Sequence, residues 1–521
     1  MTAPEDLSID VGKYTSPILS LPYFVGQLLF EHFEGELACL KALSLTCRCF
    51  YGFAQPLIFR RIEFHSPPNI RMEYDATREN HRERMRTLAR NPNGVLQWIR
   101  HLVLSVDGAE QATYYPFPED IQFDLARCLQ EIPLLSSLEL HSLALEDFLI
   151  NEVLQLLERG KCAVVLHNTG FINPPTHQRS TRLLVTSMCV TERYARYRPY
   201  DQPAFLCRML ERSSEFLTSL SINGLQTRLL LLLCEVELPN LVKFKLIGSS
   251  QLEEAGRTRL DNRLVAFLIH CPSISELDLI GSFNVDLPTT SLPLLQKLGC
   301  SSHLLMTFVL GRPICKLKVA LDQPMSWMSR IDYMQAIEPP LLCTTSLDLR
   351  SCVGEGLWNV QGKVDLSDGE WFNGLVQWFP NLTSLRLLLH QLDVAELPWG
   401  SRDCHEVSYS APLLAIQVQV LTFHSNQPLI RMITESLPDL RRLRNLRSFR
   451  LFIVGYTARA TTYQEPSWSP SRFIRLVQLV SGERLLEVHL EVESCAVYRV
   501  RREEGEGWRV VKWTVVDGHK G

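Results

Sequence analysis

A proline-led, leucine-rich phrase recurs along this chain and constrains its fold more than any other feature. Its five strongest copies begin at Pro133, Pro239, Pro272, Pro293 and Pro380. In each, an apolar residue precedes the proline and others stand two, five and seven places after it, as Leu135, Leu138 and Leu140 do in the first copy. One such segment cannot bury its apolar edge alone. Copies must stack, so the repeat specifies the whole fold and not a local element.

Looser copies fill the gaps, among them Ile99–Leu104, Leu217–Ile222, Cys315–Val319, Thr345–Leu349, Asn445–Leu451 and Leu485–Leu490. Helical patterns precede several prolines, as over Phe123–Ile132 and Leu264–Cys271. Proline cannot continue a helix and has no N–H to donate, so the chain leaves into extended structure there. The expected fold class is α/β: a degenerate leucine-rich-repeat solenoid over 95–495, with parallel strands on one face and helices outside. Stretches 106–120, 280–291, 351–370 and 391–411 are rich in Gly, Pro and Asp and are expected to be loops. Residues 496–521 alternate apolar and polar around Glu503–Gly507, which predicts a β-hairpin capping the open sheet edge.

The first 94 residues read differently. Residues 1–16 are polar and without period, so a frayed tail is expected. Residues 17–65 are densely helical in pattern, with Leu21, Val25, Leu28, Leu29 and Phe33 at helical spacing. Gly35 breaks this helix. A second, near Glu36, carries the stripe Leu37, Leu40, Leu43, Cys47 and Phe50 until Gly52 and Pro56 end it, and Leu57–Phe59 make a short third element. Residues 66–94 form a linker and a charged helix: Pro67-Pro68 is stiff, and five arginines lie between Arg78 and Arg90 among Glu79 and Glu83. That pattern suits a solvated helix or a basic docking site.

Composition narrows the function classes. A net charge of −4 makes no electrostatic case for nucleic acid or an anionic membrane. The longest apolar run, Leu229–Cys234, is far too short to cross a bilayer. The fifteen cysteines are spread through apolar phrases, as Cys128, Cys234, Cys271, Cys300, Cys315 and Cys343 are. With no basic-then-apolar amino terminus, they read as reduced thiols of an intracellular protein, cytoplasmic or nuclear.

No enzyme motif is present, and no cofactor or metal site is expected. Asp403-Cys404-His405 sets three reactive groups side by side, but neighbouring strand residues face opposite ways. Cys47 and Cys49 lack the second half of a zinc site.

The repeat region resembles the leucine-rich repeats of F-box proteins. The amino-terminal unit resembles the F-box itself in its fungal form, carried by Leu21-Pro22, Leu28-Leu29-Phe30, Phe33, Leu40-Lys41-Ala42-Leu43, Cys47-Arg48, Phe50 and Ala54–Ile62. Two positions depart from that pattern. Phe24 stands where an acidic residue is usual, and Gly26 replaces a larger apolar residue. The resemblance implies a substrate-recognition subunit of an SCF-type ubiquitin ligase. Its helical unit would dock on the adaptor subunit of a cullin-RING ligase through Leu21, Pro22, Leu28, Leu29, Phe33, Leu40, Leu43, Cys47 and Phe50. A leucine-rich-repeat scaffold without ligase association, its helical unit only a cap, stands as the alternative.

The repeats would hold the target protein. Within each Leu-x-Leu the leucines point inward and the middle residue outward. The outward set includes Lys243 with Lys245, Glu276 with Asp278, Lys316 with Lys318, then Asp348, Arg386 and Arg450. This is a face banded by charge, able to select a partner by complementarity or simply to face solvent.

Overall fold

The computed structural model describes residues 23–66, 94–106, 115–116, 119–174, 181–191, 202–223, 235–248, 254–321, 342–351, 378–390, 445–454, 485–492, 496–503 and 507–515, position 34 excepted, with a few isolated positions between. They belong to two compact units, Met1–Leu232 and Leu233–Gly521. Both are built around parallel strands.

The first unit opens with helices α1 (Tyr23–Glu31), α2 (Leu37–Ser44) and α3 (Arg48–Ile58). There follow β1 (Arg61–Ser66), β2 (His101–Val106), β3 (Tyr115–Pro116), α4 (Glu119–Glu131), β4 (Ser137–His141), β5 (Leu143–Leu145), α5 (Asp147–Arg159), β6 (Cys162–His167), β7 (Gly170–Phe171), β8 (Val185–Thr191), α6 (Gln202–Ser213) and β9 (Ser219–Asn223). The main sheet runs β1-β2-β4-β6-β8-β9, every pair parallel. A second sheet, β3-β5-β7, is made of strands two or three residues long, with tight turns leading into β5 and β7. Those turns place Ser142 (φ 55°) and Asn168 (φ 49°) in the left-handed region, which short polar side chains tolerate.

The second unit contains β10 (Lys243–Ile247), α7 (Glu254–Ile269), β11 (Glu276–Ile280), β12 (Lys297–Ser301), α8 (Leu305–Val309), β13 (Lys316–Leu321), β14 (Ser346–Ser351), β15 (Ser384–His390), β16 (Ser448–Val454) and β17 (Glu487–Val492). These strands pair in chain order and in parallel. Then β18 (Ala496–Glu503) pairs antiparallel with β17, and β19 (Gly507–Val515) antiparallel with β18. The hairpin thus covers the last parallel edge.

The proline phrase is the unit of this construction. Every described apolar position of its five strong copies is exposed by 2% or less, from Ile132, Leu135, Leu138 and Leu140 to Phe379, Leu382 and Leu385. The residue before proline accepts a hydrogen bond from the N–H two places after it: Leu241 to Leu238 (3.2 Å), Ile274 to Cys271 (3.2 Å), Leu295 to Leu292 (3.1 Å) and Leu382 to Phe379 (3.0 Å). Proline sits at the second position of this turn, where its fixed φ is an advantage. One carbonyl then receives two N–H groups from the next strand's entry, as Ser275 does from Gln296 and Lys297, and Gln296 from Cys315 and Lys316. Register is therefore set before each strand begins. Asn381 and Asn445 staple the same corner, their side-chain amides donating to the carbonyls of Leu342 (2.9 Å) and Pro380 (3.0 Å).

Three expectations need correction. The ladder starts at β1, inside the segment read as the helical unit, because Ile62 and Phe64 alternate inward against Arg61 and Glu63. Gly52 and Pro56 do not end a helix; both lie within α3. A proline inside a helix costs about 3 kcal/mol, offset here by burying Ala54 and packing Leu57 and Ile58 on the helical core. Segment 106–120 is not all loop, since β3 and the start of α4 fall within it. The tail 1–16, most of 66–94 and the expected loops 351–370 and 391–411 lie outside the described residues, apart from a few positions. One of these, Arg86, reaches Asp124 of α4 at 3.6 Å.

Candidate protein-binding surfaces

The amino-terminal helices build a core of their own from Phe30, Leu40 and Ala54, with Leu43, Phe50, Phe53, Leu57 and Ile58 packed against it. Phe30 meets Phe50 edge-on at 5.3 Å and stacks on Phe53 at 5.5 Å. This explains the departure at position 26. A Cβ there would lie 2.6 Å from the Phe53 ring, so glycine makes room for an aromatic that closes the unit. Leu40 is thereby buried in the internal core and is not part of a surface, while Leu43 and Phe50 are partly buried against it.

The expected single helix from Glu36 to Phe50 is split. Residues 45–47 break it, and Cys47 becomes the N-cap of α3, its sulfur accepting from the Phe50 N–H at 3.4 Å. Leu28 (60%), Leu29 (45%) and Phe33 (38%) stay exposed. So do Leu37, which the pattern placed in the apolar stripe, and Leu45 and Tyr51, which it left out of that stripe; the split changes which faces of α2 and α3 turn inward. Leu21 and Pro22 lie outside the described residues, as does the Phe24 side chain.

On the second unit's sheet, register decides which charges meet. Lys243, Glu276, Lys297 and Lys316 share one row. Glu276 accepts from both neighbours, Lys297 at 2.5 Å and Lys243 at 3.3 Å. The Lys297 ammonium foremost, with Lys243 behind it, holds the Glu276 carboxyl below its ordinary range. The next row sets Lys245, Asp278, Gly299, Lys318, Asp348, Arg386 and Arg450 in line. A Cβ on Gly299 would lie 1.9 Å from Asp278 Oδ1. The glycine is therefore what lets Asp278 lean over β12 toward Lys318, whose Nζ is 3.9 Å from Asp278 Oδ2.

The expected bands of charge thus partly cancel across strands. Lys245 and Lys316 remain exposed, and Asp348 is half-buried beside Lys318. Arg386 takes the register position between Asp348 and Arg450; its side chain lies outside the described set. Further along, Glu487 pairs with Arg450 (3.5 Å) and Arg499 (2.5 Å). Burial pushes the Glu487 carboxyl up, but Arg499 and then Arg450 outweigh it, and the net shift is downward. Lys297, Glu487 and Arg499 were missed because attention to the middle of Leu-x-Leu passes over the first strand position and the hairpin.

Buried thiols of the rungs are poor nucleophiles. Burial pushes Cys128 and Cys162 up to about 12 and Cys271 up to about 11. Among the described residues no group of three His, Cys, Asp or Glu side chains could hold a metal ion, and no helix is long and apolar enough to cross a membrane. Asp403-Cys404-His405 falls outside those residues. No family model and no curated protein matches this chain.

Proposed function

We propose that the chain is the substrate-recognition subunit of an SCF-type ubiquitin ligase, its helical unit docking on the adaptor and its ladder holding a target protein. One observation carries this reading: α1 exposes Leu28 and Leu29 side by side, although the helices already own a core around Phe30 and Leu40. Burying each leucine in an interface is worth about 1.5–3 kcal/mol, enough for the pair to anchor a partner. The receptor makes no bonds itself. It raises the effective concentration of target near the ubiquitin-charged enzyme. Such a role belongs inside the cell, in cytoplasm or nucleus.

The test is co-purification and calorimetric titration with purified adaptor. Leu28→Ala with Leu29→Ala is expected to weaken binding by about a hundredfold, as a loss of about 3 kcal/mol implies. Undiminished affinity overturns the docking role. A truncation that removes the unit should stop at Arg60, because β1 begins at Arg61 and belongs to the ladder. The inward turn of Leu40, Leu43 and Phe50 favours the second reading, a scaffold whose helical unit only caps the ladder. In that case the truncation would abolish no adaptor capture because there is none.

A further inference from the structure

Basic residues occupy consecutive register positions across the end of the second unit's sheet. Arg386 on β15 pairs in register with Arg450 on β16, Arg450 with His489 on β17, His489 with Arg499 on β18, and Arg499 with Lys512 on β19. With strands about 4.8 Å apart, this row spans roughly 19 Å. A neighbouring row sets Arg501 between Glu487 on β17 and Arg509 on β19.

The hairpin is thus built against its own electrostatics. Arg499 opposite Lys512 and Arg501 opposite Arg509 are like-charge cross-strand pairs, which destabilise a sheet. An edge cap gains nothing from them. A bulge preserves the arrangement: pairing shifts between Arg499 and Val500, so Lys512 opposes Arg499 while Val510 opposes Val500. Val511 is left over and 50% exposed. The extra residue brings Arg509 and Lys512, three apart in sequence, onto the side that Arg499 and Arg501 occupy, while Val500 is fully buried beneath.

Few anions answer this charge. Glu487 is already shared between Arg450 and Arg499. Glu503 pairs with Arg509 at 3.3 Å. Arg501 and Lys512 are exposed and have no carboxylate partner among the described residues. The chain as a whole carries −4, so a positive surplus here is a local feature of the surface.

We propose that the strip is a docking site for an extended acidic segment of a partner protein, whose Asp and Glu side chains pair with Arg450, Arg499, Arg501, Arg509 and Lys512. Arginine forks suit carboxylates. A run of carboxylates at about 3.4 Å per residue covers the strip in six or so residues. Carboxylates spaced along an extended backbone can meet planar guanidinium forks one to one, which makes a short acidic peptide the match. The inference rests on the reading that the open sheet face holds a protein, and it does not depend on adaptor docking.

The test is fluorescence anisotropy of the full chain with a labelled decapeptide of alternating Glu and Asp. An all-Lys decapeptide, a ten-nucleotide single-stranded RNA and phosphatidylserine vesicles are the comparison probes. The acidic peptide is expected to bind, to bind best, and to weaken as salt rises from 50 to 300 mM. Arg501→Glu with Lys512→Glu should weaken it roughly tenfold, on the scale of exposed charge pairs. That variant sets carboxylates across from Arg509 and Arg499 but also one across from Glu487, so its melting temperature is measured alongside. If it does fall, Arg501→Gln, which adds no charge, is to weaken binding roughly threefold on the same scale. Lys161→Glu, at an exposed position of the first unit, should leave the affinity unchanged. Tighter binding of RNA or vesicles, or equal binding by wild type and strip variants, overturns the proposal. Adaptor titration of the same variants separates the two readings, since strip variants keep the helical unit intact.

Discussion

Arg312 stands where the strong repeats have proline, at the head of the β13 rung, and its replacement is the sharpest test of how the ladder is held. The side chain is 6% exposed. It has no carboxylate partner among the described residues. Instead its guanidinium makes three short donations to backbone carbonyls, Nε to Ser291 (2.8 Å), Nη1 to Thr307 (2.7 Å) and Nη2 to Pro288 (2.7 Å), with a longer one from Nη1 to Leu310 (3.3 Å). It therefore ties the irregular segment ahead of β12 to helix α8. Burial pushes its pKa down, the mark of a cation kept away from water.

Arg312→Met keeps much of the stem and removes the fork. Three orphaned carbonyls at about 2 kcal/mol each cost about 6 kcal/mol, less about 3 kcal/mol regained because a charge is no longer buried. The net loss is about 3 kcal/mol. Arg312→Lys keeps the charge, but a point donor without a planar fork cannot serve three separate carbonyls, so a loss of about 2 kcal/mol is expected. A chain of two compact units need not unfold in one step, so denaturant unfolding should be read together with hydrogen exchange over residues 288–296. Faster exchange there, with an earlier first transition, is the expected result. A methionine variant within about 0.5 kcal/mol of wild type would refute the reasoning, because it would mean the carbonyls find water as easily as they find Arg312.

Gly299→Val places a side chain where Asp278 now lies, and overpacking of this kind costs about 1–3 kcal/mol; Asp278→Ala should restore most of it in a double-mutant cycle, and additive losses would refute the contact. Glu276 and Glu487 both have folded pKa values below the ordinary 4.5. Their stabilising contribution is therefore fully present above that value and is lost as pH falls through the lower folded ones. A Glu276→Gln, Glu487→Gln variant should show a shallower acid limb than wild type in thermal melts from pH 6 to pH 3, and an unchanged slope would exclude both carboxylates. Iodoacetamide at neutral pH followed by peptide mass spectrometry should modify exposed Cys49 and Cys343 well before Cys128, Cys162 and Cys271, whose thiols are buried and raised; equal labelling would contradict the packed rungs.

What the sequence made legible follows from what repeats. The apolar template was visible because burial imposes the same spacing at Leu138, Leu277 and Leu385, and all three sit at 1% exposure or less. The helical unit was legible as a unit and misread in detail. Its turn at Leu45–Cys47 depends on Cys47 leaving helical geometry to cap α3, and the neighbouring apolar spacing continues as if one helix ran on. Gly26 looked like a defect until Phe53 was seen above it, a contact across 27 positions that no local pattern carries. The β3-β5-β7 sheet was invisible for a related reason: strands of two or three residues have no period to detect.

The charged face shows the limit more sharply. Alternation tells which residues leave the core, but only register tells which of them meet. Lys243, Glu276 and Lys297 come from three separate phrases and become one ion-pair cluster because each strand enters at the same carbonyl rung. The same rule, continued into the hairpin, stacks Arg450, His489, Arg499 and Lys512, with Glu487 shared between Arg450 and Arg499. The β10–β13 end pairs Lys243, Lys297 and Lys318 with Glu276 and Asp278 and leaves Lys245 and Lys316 exposed, while the hairpin end leaves Arg501 and Lys512 exposed, each directly opposite another base. A partner gains little by competing with a pair already made, since exposed ion pairs exchange at nearly equal free energy. It gains most where like charges lie opposed and an incoming carboxylate relieves their repulsion while forming new hydrogen bonds. Selectivity for an acidic segment thus follows from where register leaves the positive charge uncancelled, and not from the number of basic residues in the chain.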